Sequence, residues 1–445
     1  MGKRTKQRRA AATHRVHADA ASRPAASRPA DSFAGSNRYD PREQIDHLVQ
    51  QGVRAVTGTS RVGDLASVAD VIRGLEHVDR DDLIDDLVVR RIGPFVTNVW
   101  ERGWSPLDLV HAVHHEFDRG ISGLVADMVL ADATLQHPDR PDAWTDQLDV
   151  VRIRRGRRST SPDDFGKLAD RFLLARFLIR LPSVVPVVLP PSAWRTAAAA
   201  AANGPRRSDE QVDSRMLERV RALLAKAEST TFAAEADAFM GKAQELMARY
   251  AIDAAMVSAA AAAAGSVSSL AAGVQARRLH LDDPYAKQKA QLLGGVASIN
   301  GGRVVWHDGW GFATVMGFPV ELDLVELTFT SLLVQMTNAM TTAGSAGGRT
   351  RSPAFRRAFV LSFAQRIQER LEQARRRVSD EATAHYGGAL VPVQAARRAA
   401  VQRRADEWFP DTTPMRSRSV DAGGWYAGRT AADVARLEPG LGEIR

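Results

Sequence analysis

The chain has 445 residues, enough for two or three domains, and 44% of them are hydrophobic, an ordinary share for a globular protein. It contains no cysteine, which excludes disulfides, thiolate metal sites and cysteine nucleophiles and fits a reducing, cytoplasmic compartment. Formal net charge is +8, carried by 53 Arg and only seven Lys against 52 acidic residues. That skew has two readings: contacts to phosphate, or a GC-rich genome that enriches arginine, alanine and glycine codons together.

Residues 1–40 begin "MGKRTKQRRAAATHRVH". They are basic but lack the apolar run of a secretory signal, and they read as a disordered, solvated arm. Residues 41–195 read as a helical domain. Asp79, Asp81, Asp82, Asp85 and Asp86 lack the glycine and terminal Glu of a calcium loop. With Leu83, Ile84, Leu87 and Val88 they mark the acidic start of an amphipathic helix. A second helix start is written in Ser105 as N-cap, Pro106 at the first position and Asp108 three residues after the cap, and Gly120 is expected to end that helix.

In the same helix His111 and His115 stand four apart, as two zinc ligands would. The residue after His111 is Ala112 rather than the Glu of H-E-x-x-H, and no third ligand stands out. We therefore expect surface histidines, no structural metal and no cofactor. The segment "RIRRGRR" follows, with Arg152, Arg154, Arg155, Arg157 and Arg158 in seven residues. In "FLLARFLIRLPSVVPVVLPP" two arginines and internal prolines interrupt the most apolar stretch, so we expect a buried helix and an extended segment but no membrane span.

Residues 196–212, "TAAAAAANGPRRSDEQV", read as a linker ending a domain. Residues 213–256 then carry the strongest pattern in the chain. Leu217, Val220, Leu223, Leu224 and Ala227 share one helix face, and Ala236, Phe239, Met240, Ala243, Leu246, Met247 and Tyr250 share another. "ESTTF" separates them, with Thr231 as a cap, so two helices should fold back antiparallel. The run "LLAKAEST" followed by "EADAFMGKAQELMARYAID" resembles the bacterial domain of unknown function 2786, common in actinobacteria and phages. The family has no established activity. Its polar signature positions fall here on Glu228, Glu235, Lys242 and Glu245. We read this hairpin as scaffold rather than site.

After an Ala/Ser-rich linker (257–276), residues 277–385 form the next patterned unit. "DPYAKQKAQLLGGVASING" reads as a helix. "GRVVW" and "GFATVMGF" read as strands joined at Asp308-Gly309. Two long helices follow, the first opened by Pro319. This arrangement is similar to the α+β domain that commonly follows the hairpin in its family, including Ser331, Leu332, Leu333 and Gln335. Residues 386–445 read as a tail in which "GGWYAGR" is a glycine-bounded turn before a short last helix. The fold class is thus mainly α and multidomain: a helical N-terminal domain, a two-helix hairpin and a small α+β domain with a β-hairpin.

No phosphate loop, nucleophile elbow or dinucleotide fingerprint is present. What recurs is basic charge: the arm, "RIRRGRR", Arg375 to Arg377 and "RRAAVQRR" at 397–404, with Trp408, Phe409, Trp425 and Tyr426 nearby. The expectation is a non-catalytic protein that binds DNA or RNA through phosphates. The alternative is a hydrolase or nuclease using Glu228, Glu235 and Lys242 against the hairpin at 303–317. Oligomeric state is not legible.

Overall fold

A computed structural model describes residues 41–57, 65–76, 81–117, 119–156, 165–203, 222, 226, 273–345, 352–386, 390–414 and 421–435. The chain divides into two compact units between Gly204 and Pro205. The arm and nearly all of the hairpin at 213–256 lie outside the described residues. Of that hairpin only Ala222 and Lys226 are described, both helical and exposed.

The N-terminal unit is helical. It comprises α1 (Pro41–Thr57), α2 (Leu65–Glu76), α3 (Asp81–Trp100), α4 (Pro106–Glu116), α5 (Arg119–Ala131), α6 (Asp142–Gly156), α7 (Phe165–Arg180) and α8 (Pro191–Asn203). The alanine run expected in a linker forms the end of α8. Asp81 opens α3. Ser105 caps α4 as expected: its backbone N–H donates to Asp108 Oδ2 (3.3 Å) and its hydroxyl to the same oxygen (2.6 Å). Gly120 does not end α4. That helix stops at Glu116, and Gly120 lies in the first turn of α5.

Four tryptophans fill the core of this unit: Trp100, Trp104, Trp144 and Trp194 are each at most 1% exposed. Trp144 meets Trp100 (5.7 Å) and Trp194 (5.3 Å) edge to face, the arrangement that ring quadrupoles favour. A buried indole N–H needs an acceptor, and three of the four find theirs in the extended segment after α7. Trp104 donates to the Pro182 carbonyl (2.9 Å), and Trp144 and Trp194 both donate to the Leu189 carbonyl (2.9 and 2.8 Å). Arg102 closes the carboxyl end of α7 by donating to the carbonyls of Leu178 (2.7 Å), Ile179 (3.2 Å) and Leu181. Gly103 takes a left-handed backbone (φ 84°), and a Cβ there would strike the Val184 carbonyl. Among the described residues, no helix is long and apolar enough to cross a membrane.

The C-terminal unit is α+β. Its described elements are β1 (Gln275–His280), α9 (Ala286–Ile299), β2 (Arg303–His307), β3 (Phe312–Gly317), α10 (Pro319–Ser345), α11 (Pro353–Tyr386), α12 (Leu390–Trp408) and α13 (Ala422–Asp433). The three strands form an antiparallel sheet in the order β1-β3-β2. β1 is an addition to the two strands read from the sequence. The β2–β3 loop is wider than a two-residue Asp-Gly turn. Trp310 N–H closes a turn on the His307 carbonyl (3.1 Å), and Gly311 supplies the left-handed residue (φ 69°) that returns the chain to β3.

One sheet face, with Ala313 and Val315, packs in a single core with Leu293, Val296, Leu322, Val325, Phe359 and Phe363 from α9, α10 and α11. The other face, with Met316 and Val305, packs against Ala400, Val401 and Ala405 of α12. The region read as a tail is therefore part of the fold. The glycines of "GGWYAGR" form no turn but lie within α13, where Gly424 and Gly428 rest on the Phe355 and Phe359 carbonyls of α11. The missing Cβ serves close approach rather than backbone freedom. Replacing Gly428 by Ala should drive the new methyl into Phe359 O and Ser362 Oγ, costing about 1–3 kcal/mol by overpacking. Faster amide exchange across residues 422–433 checks this, and unchanged exchange there contradicts it.

Candidate nucleic-acid interface

The arginine clusters picked out in the sequence divide, once folded, into groups spent on internal contacts and groups left facing water. Helix α6 carries the first cluster at its C-terminal end, where cationic side chains complement the helix dipole. Arg155 makes a forked contact with Asp127 of α5, Nε at 2.7 Å and Nη2 at 2.9 Å, and that hydrogen bond raises its already high pKa. Arg152 pairs with Asp149 one turn back. Arg154 is exposed, and between the two stands Ile153, 58% exposed. Arg157 and Arg158 lie outside the described residues, as do Glu228, Glu235, Lys242 and Glu245.

The second cluster, at 397–404, lies along α12 and is split by the helical period. Arg397 faces inward, its side chain 6% exposed, and donates to Glu321 Oε1 of α10 through Nε (3.2 Å) and Nη2 (3.1 Å). Its guanidinium carbon also stands 3.7 Å from the centroid of the Phe318 ring. Glu321 Oε2 accepts the Phe318 N–H (3.1 Å), completing one of the open donors at the start of α10. Burial pushes the Glu321 carboxyl above its ordinary pKa, against the downward pull of Arg397 and the Phe318 N–H. Arg404 pairs with Glu407 (2.9 Å) and lies over Trp408, whereas Arg398 and Arg403 are exposed.

The third cluster lies on α11. Arg376 is exposed and paired with Glu372 (3.3 Å), and the side chains of Arg375 and Arg377 lie outside the described residues. Of the nearby aromatics, Phe409 packs on His307 (5.7 Å) and Trp425 is half-buried, whereas Tyr426 is 73% exposed. Among the described residues of the C-terminal unit, the candidates divide between inward-facing and exposed positions of α11, α12 and α13. His111, expected on the surface, is buried because α4 packs against both α5 and α6. Among the described residues no group of three His, Asp or Glu side chains is placed to hold a metal.

Asp127 and Glu321 are the residues that the sequence reading missed. Asp127 gives no local signal, since its partner lies 28 positions away. Glu321 gives one: a Glu two residues after Pro319, at the third helical position, where a carboxylate reaches back to the cap.

Arginine also fastens α13 to α11. Arg429 forks onto Glu369 (3.1 and 2.9 Å), Arg366 bridges Glu369 (3.0 Å) and Asp433 (2.5 Å), and Arg370 donates to the Ala435 carbonyl (2.5 Å). The Arg429 hydrogen bonds, with those of Arg366, hold the Glu369 carboxyl at about 2 instead of 4.5. A carboxyl whose folded pKa is depressed stabilises the fold above its unfolded pKa, and that stabilisation fades as pH falls through the folded value. The attachment of α13 should therefore weaken between about pH 4.5 and 2. Glu369→Gln should raise amide exchange in 422–433 at neutral pH and remove most of that acid dependence. A variant with the wild-type acid profile contradicts this assignment.

The family described as a protein of unknown function, DUF2786, matches residues 215–254. No curated protein and no solved structure matches the chain.

Proposed function

We propose that the chain binds nucleic acid through phosphates, with little sequence preference. The observation that supports this most directly is the C-terminal end of α6. There Arg152 and Arg154 are exposed at the point where the chain continues into Arg157 and Arg158, while Arg155 is anchored to Asp127. Guanidinium groups held by a helix end meet phosphate oxygens in pairs of parallel hydrogen bonds. The exposed Arg398 and Arg403 of α12 and the basic residues of the first 40 add to the positive field. Base edges are not needed for such contacts, so sequence preference is small.

Binding by counterion release weakens linearly in log–log form with salt, with a slope of about −0.9 per phosphate neutralised on duplex DNA. Changing Arg152, Arg154, Arg157 and Arg158 to Gln should reduce that slope by up to ~4 units and weaken binding equally across sequences. Arg155 is kept in this variant to spare its contact with Asp127. A salt series on mixed-sequence duplex DNA and RNA, with the full chain and the four-residue variant, checks this. Identical slopes, or no binding at low salt, contradict it.

A further inference from the structure

The sheet has two edges, β1 and β2, and they carry their charges differently. β1 reads Gln275-Ala276-Arg277-Arg278-Leu279-His280, and Arg277 is tied to Asp323 (2.8 Å) and Glu326 (2.7 Å) of α10. Charged side chains of this kind discourage an edge strand from pairing further. β2 reads Arg303-Val304-Val305-Trp306-His307. Its two valines and its tryptophan are half-buried, whereas every residue of the central β3 is buried. Among the described residues no strand lies on the far side of β2, so alternate N–H and C=O groups of the strand point outward.

Val304 and Trp306 pack on the core on one side of the sheet and Val305 on the α12 side, and three β-branched or aromatic residues in a row also suit pairing along the open edge. The charges at the two ends of the strand are also opposite: Arg303 is exposed at its start, and Asp308, exposed, follows its end. Neither belongs to the core, though Asp308 accepts the Trp306 indole N–H (3.2 Å). A strand with opposite charges at its ends is complementary to itself when reversed.

We propose that β2 is a self-association edge, pairing antiparallel with β2 of a second copy about a two-fold axis through Val305. This joins two three-stranded sheets into one of six strands. The register sets Val305 against itself and Val304 against Trp306 twice over, β-branched against aromatic. It brings the Arg303 end of each strand beside the Asp308 end of the other. Directly opposed residues of an antiparallel pair lie on the same sheet face, as a two-fold axis perpendicular to the sheet requires.

The chain has no cysteine, so a single introduced thiol is an unambiguous probe. Full-length protein, free of nucleic acid, should sediment as a concentration-dependent dimer. On mild oxidation Val305→Cys should form a disulfide-linked dimer, while Arg303→Cys, placed opposite His307 in this register, should not. Arg303→Glu should weaken association at least about tenfold, and adding Asp308→Arg to it should restore the dimer. The proposal is overturned by a chain that is monomeric throughout the micromolar range. It is overturned equally by a dimer that ignores the charge reversal or cross-links as readily through Arg303→Cys.

Discussion

The carboxylate of Glu321 is taken out of water at the start of α10, and the surrounding structure is arranged to answer that charge. The Phe318 N–H meets one oxygen and the Arg397 guanidinium the other. Gly301 and Gly317 flank the carboxyl group, and a Cβ on either would make ordinary van der Waals contact with it. Because Glu321 opens α10 and Arg397 belongs to α12, this contact joins helices on opposite faces of the sheet. The raised carboxyl pKa shows that burial outweighs the attraction of the partner. Such a pair therefore adds little stability over an apolar substitute but makes the loss of one member costly. Its value lies in fixing where α12 sits.

The same chemistry recurs at other helix contacts. Asp46 and Arg91 join α1 to α3, and the hydrogen bond from Arg91 holds the Asp46 carboxyl below its usual range. Arg102 and Arg370 close helix ends by donating to several carbonyls, a task that a planar fork of five donors performs better than an ammonium. The high arginine content thus has a structural explanation over much of the described chain. Only the exposed arginines, such as Arg152, Arg154, Arg398 and Arg403, bear on the proposed phosphate binding, which makes that reading narrower than composition alone implies.

What was legible in the sequence was whatever local chemistry decides. Ser105-Pro106 and Pro319 mark helix starts because a cap and a fixed φ act within one turn. Ser352-Pro353, which the sequence reading did not single out, is of the same kind, with Ser352 Oγ accepting the Phe355 N–H (3.1 Å). "GRVVW" and "GFATVMGF" read as strands because their β-branched and aromatic residues suit a pleated sheet. "QARRLH" did not, because the charge of Arg277 is met by carboxylates 46 and 49 positions away on α10. The glycines of α13 were misread for a related reason: only the neighbouring helix shows that they serve close approach. The division of the α12 cluster followed the helical period, but that Arg397 faced inward depended on a distant carboxylate, Glu321. The polar residues of the family signature lie outside the described residues.

The claim that one buried ion pair positions α12 over the sheet is tested most directly by a double-mutant cycle at Glu321 and Arg397 in the full chain, read by denaturant unfolding and by amide exchange in α12. Arg397→Met alone should cost ~3–5 kcal/mol by stranding the carboxylate, and combining it with Glu321→Met should recover a large part of that loss. Because either single loss is costly and the double variant recovers, the coupling between the two positions should exceed ~3 kcal/mol. Costs that simply add within about 0.5 kcal/mol, with α12 exchange unchanged in either single variant, would contradict the account.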